Sequence, residues 1–510
     1  MKKYSDLEYL KLPKWKRLIY TIICVICGIP SAVVNFFKNA FSAVVGFIKG
    51  IGSEIADIWL TFVNGDWKTR VSYLVMGFGS IARGQILRGV LFLAMEVIFI
   101  FYMIFWGFDW MSQLGTLGTQ GPVTTYDPIL DVPTTTFHDN SFKILLYGVL
   151  TIFFIVGFIF TWRVNIKQNK IAQQILASGK KLKSGKDDLR SMVDDNFHAT
   201  LLSLPLVGIL VFTVMPMVFM ILVAFTNYDS LNNGYTNNLF TWVGLENFNT
   251  MLGMGSGSAD YGVTFGEILA WTLMWAFFAT FTNYFMGMGV AMMINKKGIK
   301  LKKLWRSCLV MTVAVPQFIS LMYVSKMFAP NGIVNGFLMS MKLIDQALPF
   351  WTDPAWARVM VIILNIWVGI PYLMLMVTGI LMNIPADLYE SAKIDGAGPW
   401  KQFTKITLPY MLFITGPYLL TSFTGNMNNF NIIYLLSGGG PSKVGISGVL
   451  GAPGETDLLI TWLFKMITAS EPAAYNLASV LGILVFIVVA GISLIVYNVM
   501  PSIKNEEDFQ

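Results

Sequence analysis

Charged residues are scarce in this sequence. Asp, Glu, Lys and Arg together make up 13% of the 510 residues, whereas a soluble domain usually carries about 25%. Hydrophobic residues make up 55%, and the mean hydropathy is +0.61. This composition excludes an ordinary soluble protein and predicts a chain that crosses a membrane several times.

Cysteine and histidine are almost absent, which argues against a metal or redox centre. The three cysteines are Cys24, Cys27 and Cys308, and the two histidines are His138 and His198. Cys24 and Cys27 form a C-x-x-C pair, but a zinc site needs further ligands and no second Cys/His cluster supplies them. We therefore expect no metal site. Neither histidine belongs to a catalytic constellation.

Eight apolar stretches are long enough to cross a bilayer, which takes about 20 helical residues. They lie near residues 89–107, 142–162, 200–225, 267–294, 307–328, 358–381, 410–435 and 475–498. If the N-terminus is cytoplasmic, 30 of the 36 Lys and Arg residues fall in cytoplasmic segments, and the external loops 108–141 and 226–266 contain none. By the positive-inside rule, this asymmetry predicts cytoplasmic N- and C-termini.

The first 88 residues carry a weaker signal. Residues 18–34 are apolar but short, and residues 36–60 place apolar side chains at helical spacing around Lys38 and Lys49. We predict an amphipathic helix that lies in the membrane interface. The alternative is that 18–34 spans the membrane and 71–87 returns as a second span.

The segment between the sixth and seventh spans, DLYESAKIDGAGPWKQFTKITLP (387–409), has the pattern of two helices joined by a glycine turn. Pro385 suits the first turn of a helix, Gly396 follows where a left-handed C-cap is needed, and Pro399 can open the next helix. The sequence therefore predicts an ordered helix pair between two membrane spans.

This segment resembles the cytoplasmic coupling loop of ABC importer permeases, whose pattern is Glu-x-Ala, a Gly four residues later, and then Ile-x-Leu-Pro. The positions that match this pattern are Glu390, Ala392, Gly396, Ile406, Leu408 and Pro409. Ser391 replaces a common alanine, and Asp395 precedes the glycine. The resemblance covers most of residues 200–500 and is greatest to the larger permease subunit of maltose/maltodextrin importers. It implies that these residues couple the chain to an ATPase.

The chain departs from that family in one loop. Enterobacterial relatives carry a folded domain between the third and fourth spans, whereas here the connection is only residues 226–266. Docking to a binding protein must therefore use less surface on this side. SGGGPSK (437–443) lacks the spacing of a phosphate-binding loop, and no Walker sequence occurs elsewhere. We expect a transport subunit, not an enzyme, with ATP hydrolysis supplied by another polypeptide.

A run of amides interrupts the seventh span, where residues 422–431 read SFTGNMNNFN. Ser422, Asn426 and Asn429 are spaced i, i+4, i+7, which places them on one face of a continuous helix. An amide both donates and accepts hydrogen bonds, as a sugar hydroxyl does. We expect these side chains to contact substrate; the alternative is that they bond between helices.

Two prolines extend this prediction to the fifth and sixth spans. Pro316 and Pro371 are expected to interrupt their helices, and broken helices at mid-membrane often frame transporter sites. In the maltose-permease family the sugar site is lined from these same three spans. Residue by residue, the resemblance places it at Val313, Gln317, Val368, Gly369, Tyr372, Ser422, Gly425, Asn426 and Asn429.

Three of those positions differ from maltose permeases. Val313, Gln317 and Gly425 stand where the family has Tyr, Ser and Phe. The loss of two aromatic rings leaves fewer stacking faces and more room. A longer maltodextrin or another oligosaccharide, such as a galacto-oligosaccharide, is therefore the alternative to maltose itself.

The predicted fold is an all-α polytopic membrane protein of about eight transmembrane helices, with a type I ABC permease core of six helices after two N-terminal ones. The predicted regions are a cytoplasmic or interfacial segment (1–88), two accessory helices with a connector (89–199), the core (200–500) and a cytoplasmic tail (501–510). The resemblance implies a bacterial cell-membrane importer of oligosaccharides. Its expected partners are a second permease subunit, an ABC ATPase dimer, an extracytoplasmic sugar-binding protein and membrane lipid, with no cofactor and no nucleic acid.

Two other classes of protein compete with this interpretation. An ion-coupled secondary transporter should show an intramembrane relay of acidic residues. Glu96 is a single carboxylate without a partner chain, and we interpret it as a packing group. A membrane-bound glycan enzyme needs paired carboxylates on one aqueous face, and the external loops show no such motif. Neither class explains the loop at 387–409.

Overall fold

The structure is a computed structural model. It describes residues 48–127, 132–182, 185–236, 238–255, 258–296, 298–446 and 448–499, with isolated residues between 38 and 46. The C-x-x-C pair, the stretch at 18–34 and the tail at 501–510 lie outside the described residues. The chain divides into two compact units, 1–244 and 245–510, and each is described by itself.

The first unit is built from helices with one small hairpin. Its helices are α1 (48–64), α2 (Trp67–Val71), α3 (Phe78–Ile81), α4 (Ile86–Tyr102), α5 (Phe108–Gln113), α6 (Ser141–Ala177), α7 (Gly185–Val193), α8 (Phe197–Ile209) and α9 (Met215–Val223). Short π-helical turns at Met103–Gly107 and Leu210–Val214 join α4 to α5 and α8 to α9. Strands β1 (Val123–Asp127) and β2 (Val132–Thr136) pair antiparallel, with Val123 opposite Thr136.

The second unit is helical in its described residues. Its helices are α10 (Glu246–Met251), α11 (Ala259–Asn295), α12 (Lys302–Ala314), α13 (Gln317–Met327), α14 (Ile333–Ser340), α15 (Pro354–Leu381), α16 (Ala386–Ile394), α17 (Pro399–Gln402), α18 (Leu408–Met427), α19 (Phe430–Ser437), α20 (Leu459–Thr468) and α21 (Tyr475–Val499). A π-helical turn at Phe403–Thr407 joins α17 to α18.

In the described part of the chain, seven helices are long and apolar enough to cross a membrane, and the bent pair α12–α13 makes an eighth if it is one span. The seven are Ile86–Gln113, Ser141–Ala177, Phe197–Val223, Asp260–Asn295, Pro354–Leu381, Pro399–Met427 and Tyr475–Tyr497. The expected fold class and helix number are confirmed. The second span, predicted near 142–162, continues to Ala177 into the connector that follows it, because nothing in its sequence ends the helix earlier.

Glu96 has a structural partner in the first unit. Its carboxylate accepts the backbone N–H of Met76 across 2.7 Å, and only 8% of the residue is exposed. The next residue, Gly77, donates its N–H to the side chain of Asn165 on α6 across 3.1 Å. Buried amides need such acceptors. Glu96 therefore fixes the turn between α2 and α3, which agrees with its interpretation as a packing group.

The long helix α11 forms the centre of the second unit and packs against both α15 and α18. Two buried clusters line it. One contains Trp275 together with residues of α15 and α19; the other contains Tyr284, whose hydroxyl lies 2.8 Å from that of Thr415 on α18. Burial of large apolar side chains on both sides of α11 holds the three helices in a fixed arrangement.

A polar clamp joins the ends of α15 and α20 to the loop between α19 and α20. Arg358 pairs with Glu455 at 2.7 Å and lies over the ring of Trp271, 4.9 Å from its centroid. Asp457 is fully buried and pairs with Lys465 at 2.6 Å. These two ion pairs thus tie helix ends of the second unit to the loop between α19 and α20.

Candidate functional site

The amide run lies at a break between helices, not within one helix. Helix α18 ends at Met427, Asn428 caps it, and α19 begins at Phe430. The Asn429 side chain caps α19 by accepting from the N–H of Ile432 across 3.4 Å. The prediction that Asn429 continues the helical face of Ser422 and Asn426 is therefore wrong. Asparagine favours caps because its side chain competes with the helix for backbone groups.

Helix α11 supplies partners for these amides. The Asn426 amide donates to the hydroxyl of Thr280 across 3.0 Å, and its backbone carbonyl accepts from the indole of Trp275 across 3.0 Å. The Asn429 amide donates to the side-chain oxygen of Asn426 across 3.2 Å. In the structure, these amides form hydrogen bonds between helices, which is the alternative to substrate contact given in the sequence analysis. Both residues are only half-buried, so they also have solvent-accessible atoms.

Gly369 on α15 lies directly against Asn283 on α11. A Cβ at Gly369 would lie 2.4 Å from the Asn283 amide nitrogen, so a larger residue there would have to displace the Asn283 side chain. The Asn283 residue is 8% exposed, and its side-chain oxygen finds no hydrogen-bond partner among the residues that the structure describes. A buried acceptor without a partner is costly. Sequence reasoning missed Thr280 and Asn283, and the signal that could have found them is the short polar cluster of Thr280, Thr282 and Asn283 within the fourth span.

Pro316 breaks the fifth span, as predicted. Helices α12 and α13 meet at 91° around it, with Gln317 as the first residue of α13. Gln317 and Val313 are both exposed. Pro371, in contrast, lies inside the continuous helix α15, so the predicted interruption there is wrong. A proline removes one backbone hydrogen bond, and neighbouring helices can support the remaining turns of a membrane helix.

The other candidates on α15 and α18 lie near one another. Tyr418 interacts with Ser422 on its own helix and with Tyr372 on α15. Tyr372 and Gly425 are exposed, whereas Val368 is partly buried against the Trp275 cluster. Tyr418 is therefore connected to Ser422 within α18, while Gln317 stands on the separate bent pair.

The helix pair at 387–409 has the predicted geometry. Helix α16 ends at Ile394, and Gly396 has a φ of +74°. The N–H groups of Gly396 and Ala397 return to the carbonyls of Lys393 and Ala392 at 3.0 and 2.8 Å, which closes the end of the helix. Pro399 is the first residue of α17. The glycine turn and the proline start are confirmed.

Two hydrogen bonds hold this loop in shape while its apolar residues point outward. The hydroxyls of Tyr389 and Thr407 lie 2.9 Å apart, and the Gln402 amide donates to the Ala397 carbonyl across 2.7 Å. Ile394 is 87% exposed, and Trp400 is 75% exposed. The predicted coupling residues Glu390, Ser391, Asp395, Gly396 and Pro409 are exposed, and Ala392, Ile406 and Leu408 are half-buried. Exposed apolar side chains on an ordered loop are typical of protein interaction sites.

The second unit thus combines apolar helices that are long enough to cross a membrane with an ordered, exposed loop between two of them. Residues 283–504 match the family model of the binding-protein-dependent transport system inner membrane component. The chain is similar to the maltodextrin transport system permease protein MdxF of Bacillus subtilis, with 34% identity over 85% of this chain and 95% of MdxF. It is also similar to the galactooligosaccharides transport system permease protein GanP of Bacillus subtilis, with 31% identity over 85% of this chain and 97% of GanP.

A solved structure shares the fold. One chain of a bacterial alginate ABC transporter, crystallised with a periplasmic protein that holds alginate pentasaccharide, matches with a TM-score of 0.50 and 22% identity. The match covers 62% of this chain and 98% of that one. The chain belongs to the family of binding-protein-dependent transport system inner membrane components, the permease subunits of ABC importers. It is a transport subunit that is embedded in a membrane.

Proposed function

We propose that this chain is the larger permease subunit of an ATP-driven importer of oligosaccharides, with maltodextrins as the main substrate. The observation that carries the proposal is the ordered loop at 386–409, with Ile394 and Trp400 exposed at its surface. The likeness to MdxF supports maltodextrin as the substrate, and the likeness to GanP supports galacto-oligosaccharides as the second candidate.

The proposed sugar path follows the polar residues of α13, α15 and α18. Its proposed lining is Gln317, Val368, Gly369, Tyr372, Ser422, Gly425, Asn426 and Asn429. The exposed ring of Tyr372 offers a stacking face for a sugar, and the amides of Asn426 and Asn429 offer donors and acceptors. The unpaired side-chain oxygen of Asn283 beside Gly369 adds an acceptor for a hydroxyl. When sugar enters, the bond between Asn429 and Asn426 is the one that we expect to open.

The proposed coupling surface is the loop from α16 to the start of α18. An ABC ATPase dimer would bind its exposed residues, with Glu390, Ser391, Asp395 and Gly396 around the turn and Ile394 and Trp400 as apolar anchors. Exposed apolar residues at the centre of a docking surface contribute most of its binding energy. The bonds of Tyr389 and Gln402 hold the loop so that movement of the ATPase reaches α15 and α18.

A second permease subunit has a fitting surface on the bent pair. An open groove of about 690 Å³ runs along α13 between Phe318, Met322, Tyr323 and Ile333. The side chains that line it are largely apolar, and helices of a partner could fill it by close packing. We also propose that the termini and the 386–409 loop face the cytoplasm, that an extracytoplasmic sugar-binding protein delivers substrate to the opposite side, and that residues 200–500 form the permease core.

The proposed function predicts a specific pattern of uptake. A strain that lacks this chain should fail to take up labelled maltohexaose, and the restored chain should bring the uptake back. Unlabelled maltodextrins should compete with the label more strongly than galacto-oligosaccharides do. Stronger competition by galacto-oligosaccharides would favour the second candidate substrate, and uptake unaffected by loss of the chain would contradict the proposal.

A further inference from the structure

The two loops of the first unit that lack Lys and Arg form one connected surface. The Trp242 indole donates to the carbonyl of Leu114 across 3.0 Å, and the N–H of Ser141 donates to the carbonyl of Gly234 across 3.1 Å. The Asp139 carboxylate accepts the N–H groups of Thr119 and Gln120 at 2.7 and 2.8 Å. The loop at 114–141 and the loop at 226–242 are thus pinned to each other and to the start of α6.

This surface exposes aromatic side chains. The rings of Phe137 and Tyr235 stack with their centroids 5.2 Å apart and an interplanar angle of 14°. Phe137 is 50% exposed and Tyr235 is 51% exposed, and Tyr126 on β1 stands outward nearby in the hairpin. We call Phe137 and Tyr235 the aromatic plate. Aromatic residues that stay exposed on a rigid aqueous loop are typical of protein interfaces.

The same surface is acidic. Residues 108–141 and 226–244 contain no Lys or Arg, and their acidic residues among those that the structure describes are Asp109, Asp127, Asp139 and Asp229. The hydrogen bonds from the N–H groups of Gln120 and Thr119 hold the pKa of Asp139 below its usual value, so this carboxylate stays ionised. An acidic surface repels an anionic lipid surface and attracts a basic protein surface.

We propose that the aromatic plate and the β1–β2 hairpin dock the extracytoplasmic sugar-binding protein through a basic rim on that protein. This inference rests on the proposed function, which supplies such a partner. The connection between the third and fourth spans is short, and the hairpin between the first and second spans extends the surface that it forms. The aromatic plate would anchor the contact, and the Asp residues would select a basic partner and speed the encounter.

The test uses the whole transporter in lipid nanodiscs, formed by this chain with its second permease subunit and ATPase. The probe is the purified cognate sugar-binding protein, loaded with maltoheptaose. We expect the double variant Phe137→Ser/Tyr235→Ser to raise its Kd by about tenfold or more, because exposed aromatic anchors dominate interface energy. Thr125→Lys should raise the Kd as well, while Thr125→Glu at the same exposed position should not. Raising NaCl from about 50 to about 300 mM should weaken wild-type binding.

The control is Leu343→Ser, which removes an exposed apolar residue from a loop of the second unit that is also predicted to be external. It should leave the Kd unchanged. An unchanged Kd in the double serine variant would overturn the docking surface while leaving the proposed function intact. Loss of binding to free maltoheptaose with an unchanged protein Kd would instead make the aromatic plate a sugar platform and overturn the proposal. If the wild-type complex bound no sugar-binding protein at all, the proposed function would fail too.

Discussion

The side-chain amide of Asn429 donates to the side-chain oxygen of Asn426 across 3.2 Å, although Asn426 lies in α18 and Asn429 caps α19. Asn426 in turn donates to Thr280 on α11. The chain of bonds closes a break in the seventh span with polar groups that hydrocarbon could not satisfy. Each of these groups can exchange its protein partner for a sugar hydroxyl without losing a hydrogen bond. The break can therefore be both a structural joint and a substrate contact.

Replacing both Asn426 and Asn429 by Leu should abolish most sugar uptake while leaving the subunit assembled with its ATPase. Two lost neutral hydrogen bonds amount to about 1–3 kcal/mol, or roughly 5- to 150-fold in sugar affinity. Leu is favourable in the bilayer, so insertion should not suffer. Uptake of labelled maltohexaose and co-purification of the ATPase are measured together.

The matched control is Thr280→Val, which removes the protein partner of Asn426 but keeps both amides. We expect it to retain uptake within a few-fold of wild type. If the Leu variant and Thr280→Val lose assembly and uptake alike, the amides are packing groups and the substrate assignment is wrong.

Gly396→Val should uncouple the chain from its ATPase. Gly396 has a φ of +74°, and a non-glycine residue pays about 1–2 kcal/mol there. Nothing lies within 4 Å of a Cβ at this position, so the cost is backbone strain and not a clash. Gly398→Val is the control, since Gly398 has an ordinary φ of −66° and equally open surroundings. We expect transport-stimulated ATPase activity to fall only in the first variant. Equal activity in both would refute the coupling role of the turn.

Lys465→Met should destabilise the second unit strongly. It leaves the fully buried Asp457 carboxylate without its cation, a change that typically costs about 3–5 kcal/mol. Lys170→Met is the comparison, because the side chains of Lys170 and its partner Asp57 are both solvent-exposed and such pairs contribute about 0–1 kcal/mol. Thermal unfolding in detergent should show a much larger fall in Tm for Lys465→Met. Similar shifts in the two variants would show that burial of Asp457 does not set the cost.

Cysteine labelling tests the orientation. In a variant with Cys24, Cys27 and Cys308 replaced by Ser, Thr125→Cys in the hairpin should react with a membrane-impermeant maleimide in intact cells. Lys180→Cys, which is also exposed, should react only after the cells are permeabilised. The prediction follows from the placement of Lys and Arg. The opposite labelling pattern would reverse the topology and remove the hairpin from the external face.

Local signals in the sequence were reliable where one residue decides the backbone. Gly396, Pro399 and Pro316 each mark a cap, a helix start or a break that the structure contains. Glycine at a positive φ and proline at a helix start or break restrict the backbone directly, and at these three positions the structure follows the local signal. The long apolar spans were predictable for a different reason: a bilayer leaves a long apolar segment few alternatives to a helix.

Tertiary context decided the features that the sequence did not reveal. Pro371 stays inside α15, which packs against α11. Asn429 lies beyond the end of α18 and caps α19. The role of α11 was missed because Thr280 and Asn283 stand in an apolar span with no spacing that links them to Asn426 or Gly369. Their importance arises only from packing between helices that are far apart in the chain.

The most direct test of the central claim is sugar transport in proteoliposomes that contain this chain, its second permease subunit, the ATPase and the sugar-binding protein. We predict that labelled maltoheptaose accumulates when ATP is supplied to the ATPase side, and that accumulation needs the binding protein on the other side. An imposed proton gradient without ATP should drive no uptake. Accumulation driven by the proton gradient and indifferent to ATP would contradict the assignment as an ABC importer subunit.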